Sequence, residues 1–188
     1  ALPAYAADFT RTSMPRTGAL TPVELSLVHA GGRANGFFHI DTGGTDTMVV
    51  NQGFGQAHGL YDALERLGTS TSRGVGSAAL ENARLRVPEL ELAGFALHDV
   101  PIHVELPSDT NPAPPGGVVC MEVLRRFDAL LDYPSGQAYF RPNAHFAEPF
   151  PVQSPDWLWR GFVALALLAL ALLVRRAVRR RRASSAPA

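Results

Sequence analysis

The sequence predicts a mostly-β domain with one short helix, followed by a single membrane-crossing helix. Three observations carry this. Apolar runs of period two, such as Val23-Glu24-Leu25-Ser26-Leu27, recur between clusters of Gly, Pro, Asn and Ser. Within that region Cys120 to Arg126 reads as the one short helix. Gly161 to Val174 then runs 14 residues without a charge and is followed by an Arg cluster.

Composition narrows the class. At 188 residues, one domain with extensions is expected. A chain 46% hydrophobic and 18% charged is globular rather than disordered. All 17 basic residues are Arg. The formal net charge of zero hides an asymmetry: residues 1–156 hold 10 Arg and all 17 acids, a balance of −7, and residues 157–188 hold 7 Arg and no acid, a balance of +7. The acidic part is a poor surface for nucleic acid, because phosphate contact needs positive charge. Cys120 is the only cysteine, so no internal disulfide framework exists. The chain opens on Ala rather than Met, which reads as a processed start or as the start of a fragment.

Residues 1–19 lack periodicity and read as a linker or lead-in. Val23, Leu25 and Leu27 form one face of a half-buried strand. Ala30 to Gly36 is turn material, so a hairpin follows, and its returning strand ends at Asp41. Met48-Val49-Val50 is the next short strand. The glycines of Gly53-Phe54-Gly55-Gln56-Ala57-His58-Gly59 do not form a dinucleotide fingerprint and lack the strand–helix unit it requires. Tyr61 to Leu67 suits a helical turn or two ending at Gly68.

Thr69 to Ser77, containing Gly74-Val75-Gly76, reads as a polar loop. Leu80 to Val87, Leu90 to Leu92 and Phe95 to Leu106 read as strands, with Pro101 marking an edge or bulge. Pro107 to Gly117 reads as a surface loop. Phe127 to Tyr133 and Ala138 to Arg141 pair around Pro134-Ser135-Gly136. A linker spans 143–156, a transmembrane helix 157–174 and an Arg-rich tail 175–188. Trp157 and Trp159 mark one interface, and the Arg cluster holds the tail in the cytoplasm with the acidic domain outside.

The candidate site is Asp41-Thr42-Gly43-Gly44, at the end of the apolar run Phe37-Phe38-His39-Ile40. An acid at a strand end, followed by a hydroxyl residue and two glycines, sits where backbone turns sharply and no side chain covers it. An Asp-containing turn is the plain reading, and a reactive carboxylate is the sharper one. Strand histidines His98 and His103 have odd spacing, which points them to opposite faces, and no His pair has metal-ligand spacing. No metal and no cofactor is expected. Asp46 is placed to pair with an Arg near the site, and Asp128 and Asp132 suit edge and turn roles.

Residues 20–142 resemble the retropepsin-like aspartic proteases, single-lobe relatives of pepsin. The likeness rests on three stretches in order: the hairpin from Val23 into Asp41-Thr42-Gly43, the strands Leu90-Glu91-Leu92 and Phe95 to Val104, and Gly117-Val118-Val119 with the short helix and Phe127-Asp128-Ala129-Leu130-Leu131-Asp132-Tyr133. The resemblance implies a closed β-barrel and an endopeptidase in which Asp41 is catalytic. Such a site needs two carboxylates around one water, one ionised and one protonated. A single Asp-Thr-Gly occurs here, so the second acid would come from a homodimer mate or from another lobe. Thr42 would brace the two loops across the axis, Gly43 would admit the substrate backbone, and Gly74, Val75 and Gly76 would lie in a flap that binds substrate.

Two positions depart from the family's pattern. Gly44 stands where Ala or Ser is usual, and Cys120 stands where Gly follows the apolar pair. The thiol is expected to crowd the Asp41 loop, so that Cys120→Gly would raise activity or stability. The implied function is a membrane-anchored aspartic endopeptidase acting on a peptide or protein substrate. The rivals are a non-catalytic binding or assembly domain of the same fold, and the C-terminal lobe of a longer two-lobed protease.

Overall fold

A computed structural model of the chain describes residues 7–16, 22–73, 79–107, 116–151 and 163–168. It divides into two units, 1–150 and 151–188. The first unit is mostly β and contains a closed six-stranded barrel.

The barrel begins with β2 (Pro22–His29) and β3 (Gly32–Ile40), an antiparallel hairpin with Val23 opposite Phe38. Val23, Leu25 and Leu27 are buried and Glu24 is exposed, as the alternation requires. β4 (Met48–Val50) follows the Asp41 loop. β6 (Ala79–Leu92) and β7 (Phe95–Glu105) are long partners, and β8 (Gly117–Val119) is short. The sheet runs β2-β3-β8-β4-β7-β6, and β6 returns to β2 through Leu25↔Leu92 to close it. Leu85, Val87 and Leu90 of β6 and Val100, Ile102 and Val104 of β7 fill the interior. β5 (Glu65–Arg73) lies outside the ring, at the end of the sheet beside β6.

β8 positions the site. It runs parallel to β3 (His39↔Val118) and antiparallel to β4 (Val49↔Val118), so it wedges between the two strands that the Asp41 loop connects. Glycines at its start permit that wedge. A Cβ on Gly116 would lie 1.9 Å from the Phe37 carbonyl oxygen, and one on Gly117 2.0 Å from that of Val49. Both also have positive φ, at 99° and 154°.

Several elements differ from expectation. Among the described residues of the first unit three short helices occur, not one: α1 (Gln52–Ala57), α2 (Leu60–Ala63) and α3 (Met121–Leu124). The helical stretch begins nine residues before Tyr61, and Glu65 already belongs to β5. α1 contains Gly53 and Gly55, poor helix formers. Tertiary packing holds it, through Phe54 set edge-on to Phe38 at 5.3 Å. Thr69 to Arg73 are strand rather than loop, because β5 pairs with β6 as far as Arg73↔Ala79.

A second, three-stranded sheet runs β1-β10-β9. It comprises β1 (Thr10–Ser13), β9 (Phe127–Asp132) and β10 (Gln137–Pro142). β1 falls in the stretch read as a lead-in and joins β10 by backbone pairing, Thr10↔Phe140. The packed unit also runs past Pro142 to Phe150. Phe146 and Phe150 pack against the core, and buried Arg126 bonds to four backbone carbonyls in 145–149.

In the second unit, 163–168 are helical, and Val163, Leu165, Leu167 and Leu168 are exposed. Among the described residues no helix is long and apolar enough to cross a membrane. The remainder of 157–174 and the tail 175–188 lie outside the described residues, as do Gly74, Val75, Gly76 and the stretch 108–115.

Candidate active site

Asp41 sits one residue beyond the end of β3, and its N–H donates to the Val119 carbonyl at 2.9 Å. The chain then reverses through Thr42, Gly43 and Gly44. The Asp41 carboxylate is held by its own loop: Oδ1 accepts the N–H of Gly43 at 2.9 Å and that of Gly44 at 3.1 Å. These bonds orient the acid while leaving it half-buried and reachable. Thr42 and Gly43 are exposed at the tip.

The loop is clamped onto the stretch that follows β8. Cys120 N–H donates to the Thr47 carbonyl at 2.8 Å, Met121 N–H to that of Gly44 at 3.0 Å, and Glu122 N–H to that of Asp46 at 3.0 Å. The Thr47 hydroxyl donates to the Pro101 carbonyl of β7. Loop, β8 and α3 therefore form one backbone-bonded block, which suits a carboxylate that must hold its direction.

The structure joins the two unusual positions. A Cβ on Gly44 would lie 2.7 Å from Cys120 Sγ, 3.1 Å from Cys120 Cβ and 3.1 Å from Asp41 Oδ2. The thiol occupies the space that a side chain at position 44 would fill. With glycine at position 44 the thiol has room beside the loop, so on this geometry Cys120→Gly is expected to leave a void rather than to relieve crowding. Burial, reinforced by the negative charges of Asp41 and Asp46, pushes the thiol up to about 12. It stays protonated at neutral pH and is no nucleophile.

A reciprocal pair of variants checks this fit. Cys120→Gly should lose about 1–2 kcal/mol through the void it leaves. Gly44→Ser alone should lose about 1–3 kcal/mol by overpacking. The double variant Gly44→Ser, Cys120→Gly should recover most of both losses in urea unfolding, since contacting sites couple.

Asp46 faces a histidine. His103 Nε2 lies 3.6 Å from Asp46 Oδ1, and its Nδ1 is 2.7 Å from Ser70 Oγ. His103 is buried, whereas His98 is exposed beside Glu89, so the two do face opposite ways. Asp128 pairs with Arg141, and Asp132 Oδ1 accepts the Ser135 N–H in the β9–β10 turn. Among the described residues no group of three or more His, Cys, Asp or Glu is disposed to hold a metal ion.

Sequence reasoning located the Asp41 loop but not the contact between Gly44 and Cys120, nor the set Ser70, His103 and Asp46. The chain matches no protein-family model, and no curated protein matches it.

Proposed function

We propose that this chain is a membrane-anchored aspartic endopeptidase of the retropepsin-like class, working as a homodimer through Asp41. The observation that carries the reading is a half-buried carboxylate at a strand end, fixed by two glycine N–H groups and backed by the β8 wedge.

One loop supplies one acid. Two copies related by a two-fold axis would bring both Asp41 side chains to one water. Two carboxylates that close hold a single proton between them. The ionised one takes a proton from the water, and the protonated one polarises the peptide carbonyl. On this reading Thr42, exposed at the loop tip, braces the opposing loop, and Gly43 leaves room for substrate backbone. Gly74, Val75 and Gly76, in the segment of sequence between β5 and β6, would on this reading bind substrate. The chemistry needs no cofactor.

Residues 157–174 would cross the bilayer, with the barrel outside and 175–188 in the cytoplasm. The support is the uncharged run, the Trp pair at one end and the Arg cluster at the other. In intact cells a tag on the C-terminus should resist added protease, while a tag on the N-terminus is digested. A C-terminal tag removed from outside would contradict this orientation. Catalysis is tested by incubating the purified full chain with an unstructured protein at acidic pH, where a statine-type inhibitor should stop cleavage.

A further inference from the structure

β5 is the outermost strand of its sheet and pairs only with β6 among the described residues. One side-chain bridge reaches from it across β6 to the barrel wall. Ser70 Oγ on β5 meets His103 Nδ1 on β7 at 2.7 Å. The other nitrogen of the same ring faces Asp46, five residues after Asp41 in the clamped loop, at 3.6 Å. That second distance exceeds hydrogen-bond reach, so Asp46 acts on the ring through its charge. We infer that His103 is a positioning residue that ties the β5–β6 hairpin to the Asp41 loop, and that adding a proton to it releases the hairpin.

The surroundings of the ring set the direction. Asp46 faces it from the loop and Ser70 from β5. Arg84 stands directly opposite on β6 (Arg84↔His103), and Val49 of β4 is uncharged. Two residues along β7 are Pro101 and Glu105, and the Glu105 carboxylate accepts the Gln52 N–H. With its proton on Nε2, facing the Asp46 carboxylate, neutral His103 accepts the Ser70 hydroxyl at Nδ1. A protonated ring must instead carry charge in a buried site beside the Arg84 cation. Burial, with Arg84 second among the opposing influences, outweighs the attraction of Asp46 and holds the ring below the usual histidine range.

The tied arrangement therefore resists the proton. Stability from the tie is complete above the ordinary histidine pKa of about 6.5 and is lost as pH falls below it, because the released ring binds the proton more tightly. Acid loosens the hairpin. Any consequence for catalysis rests on the peptidase reading; the tie itself does not.

The test is amide hydrogen exchange of β5 and β6 in the full-length protein at pH 7.5 and pH 5, corrected for the intrinsic pH dependence of exchange. The parent should lose protection in β5 several-fold at pH 5. His103→Gln, which keeps a hydrogen-bonding group but cannot gain a proton, should give the same protection at both pH values. Ser70→Ala should show weak β5 protection at both, and it covers the case in which the His103 variant fails to fold. Equal protection of β5 in the parent at both pH values would overturn release by the proton, as would a pH-dependent loss persisting in His103→Gln, and parent-like protection in Ser70→Ala would overturn the tie. Peptide cleavage is read in parallel, so an inactive protein with a pH-dependent hairpin refutes only the peptidase reading.

Discussion

On the peptidase reading, Asp41→Asn should abolish peptide hydrolysis and leave the barrel standing. The amide is nearly isosteric with the carboxylate, and its oxygen still accepts the N–H groups of Gly43 and Gly44. The backbone bonds from Asp41 to Val119 and from Met121 to Gly44 do not involve the side chain. What disappears is the ability to take a proton from water, a contribution of about 10²–10⁴-fold for a general base. If two Asp41 side chains share one proton, that proton is lost as well, and the rate should fall toward the upper end of that range. The melting temperature should stay within a few degrees of the parent, since a surface-accessible isosteric change costs about 0.5 kcal/mol or less. Cleavage of an unstructured protein, parent against variant at matched concentration, reads the first part, and thermal unfolding reads the second.

Arg126→Met unfolds or severely weakens the domain. Arg126 is 0% exposed, a rare position for a guanidinium. Its Nε donates to the Glu122 carbonyl at 2.9 Å, and its terminal nitrogens donate to the carbonyls of His145, Phe146, Glu148 and Pro149. The Phe150 ring lies 3.8 Å from its central carbon. One side chain therefore holds the stretch 145–150 against α3 and places Phe146 among Phe95 and Phe127. Methionine fills similar volume but donates nothing, leaving several carbonyls unpaired at about 1–3 kcal/mol each. With partial rehydration the expected loss is about 3–5 kcal/mol, a large share of a typical domain's stability. Arg126→Lys should fall between, because an ammonium has three donors and no planar face for Phe150. Urea unfolding measures both, and limited proteolysis should cut the variant first between 143 and 150.

Strands with one wet and one buried face were legible in the sequence. Val23, Leu25 and Leu27 alternate with polar residues, and the pleat turns that alternation directly into burial. The turns at Ala30-Gly31 and Pro134-Ser135-Gly136 announce themselves by residue type, although Gly32 to Gly36, also read as turn, belong to β3. α1 was not legible, because its stability comes from Phe54 against Phe38, whereas its own glycines argue against a helix. β1 was not legible either: a short exposed strand that joins through backbone bonds needs no apolar pattern.

At the site, the Asp41 loop showed in the acid followed by glycines, a local signal. Gly44 and Cys120 each stood out singly, but their complementarity depends on chain segments 76 residues apart coming together, so that a Cβ added to Gly44 would lie 2.7 Å from Cys120 Sγ. The sequence signal that could have found it was one small residue and one larger residue exchanged between two positions of one pattern. His103 likewise revealed only which face it takes. Its partners Ser70 and Asp46 come from strand and loop segments that the barrel closure brings together.

The most direct measurement of the central claim is titration of peptide cleavage by the purified full chain with a tight statine-type inhibitor. A site built from two Asp41 side chains at one axis requires that activity vanish at one inhibitor per two chains, and that dimers pairing a parent chain with an Asp41→Asn chain be inactive. Cleavage by Asp41→Asn equal to that of the parent, or no cleavage by the parent across acidic and neutral pH, would contradict it.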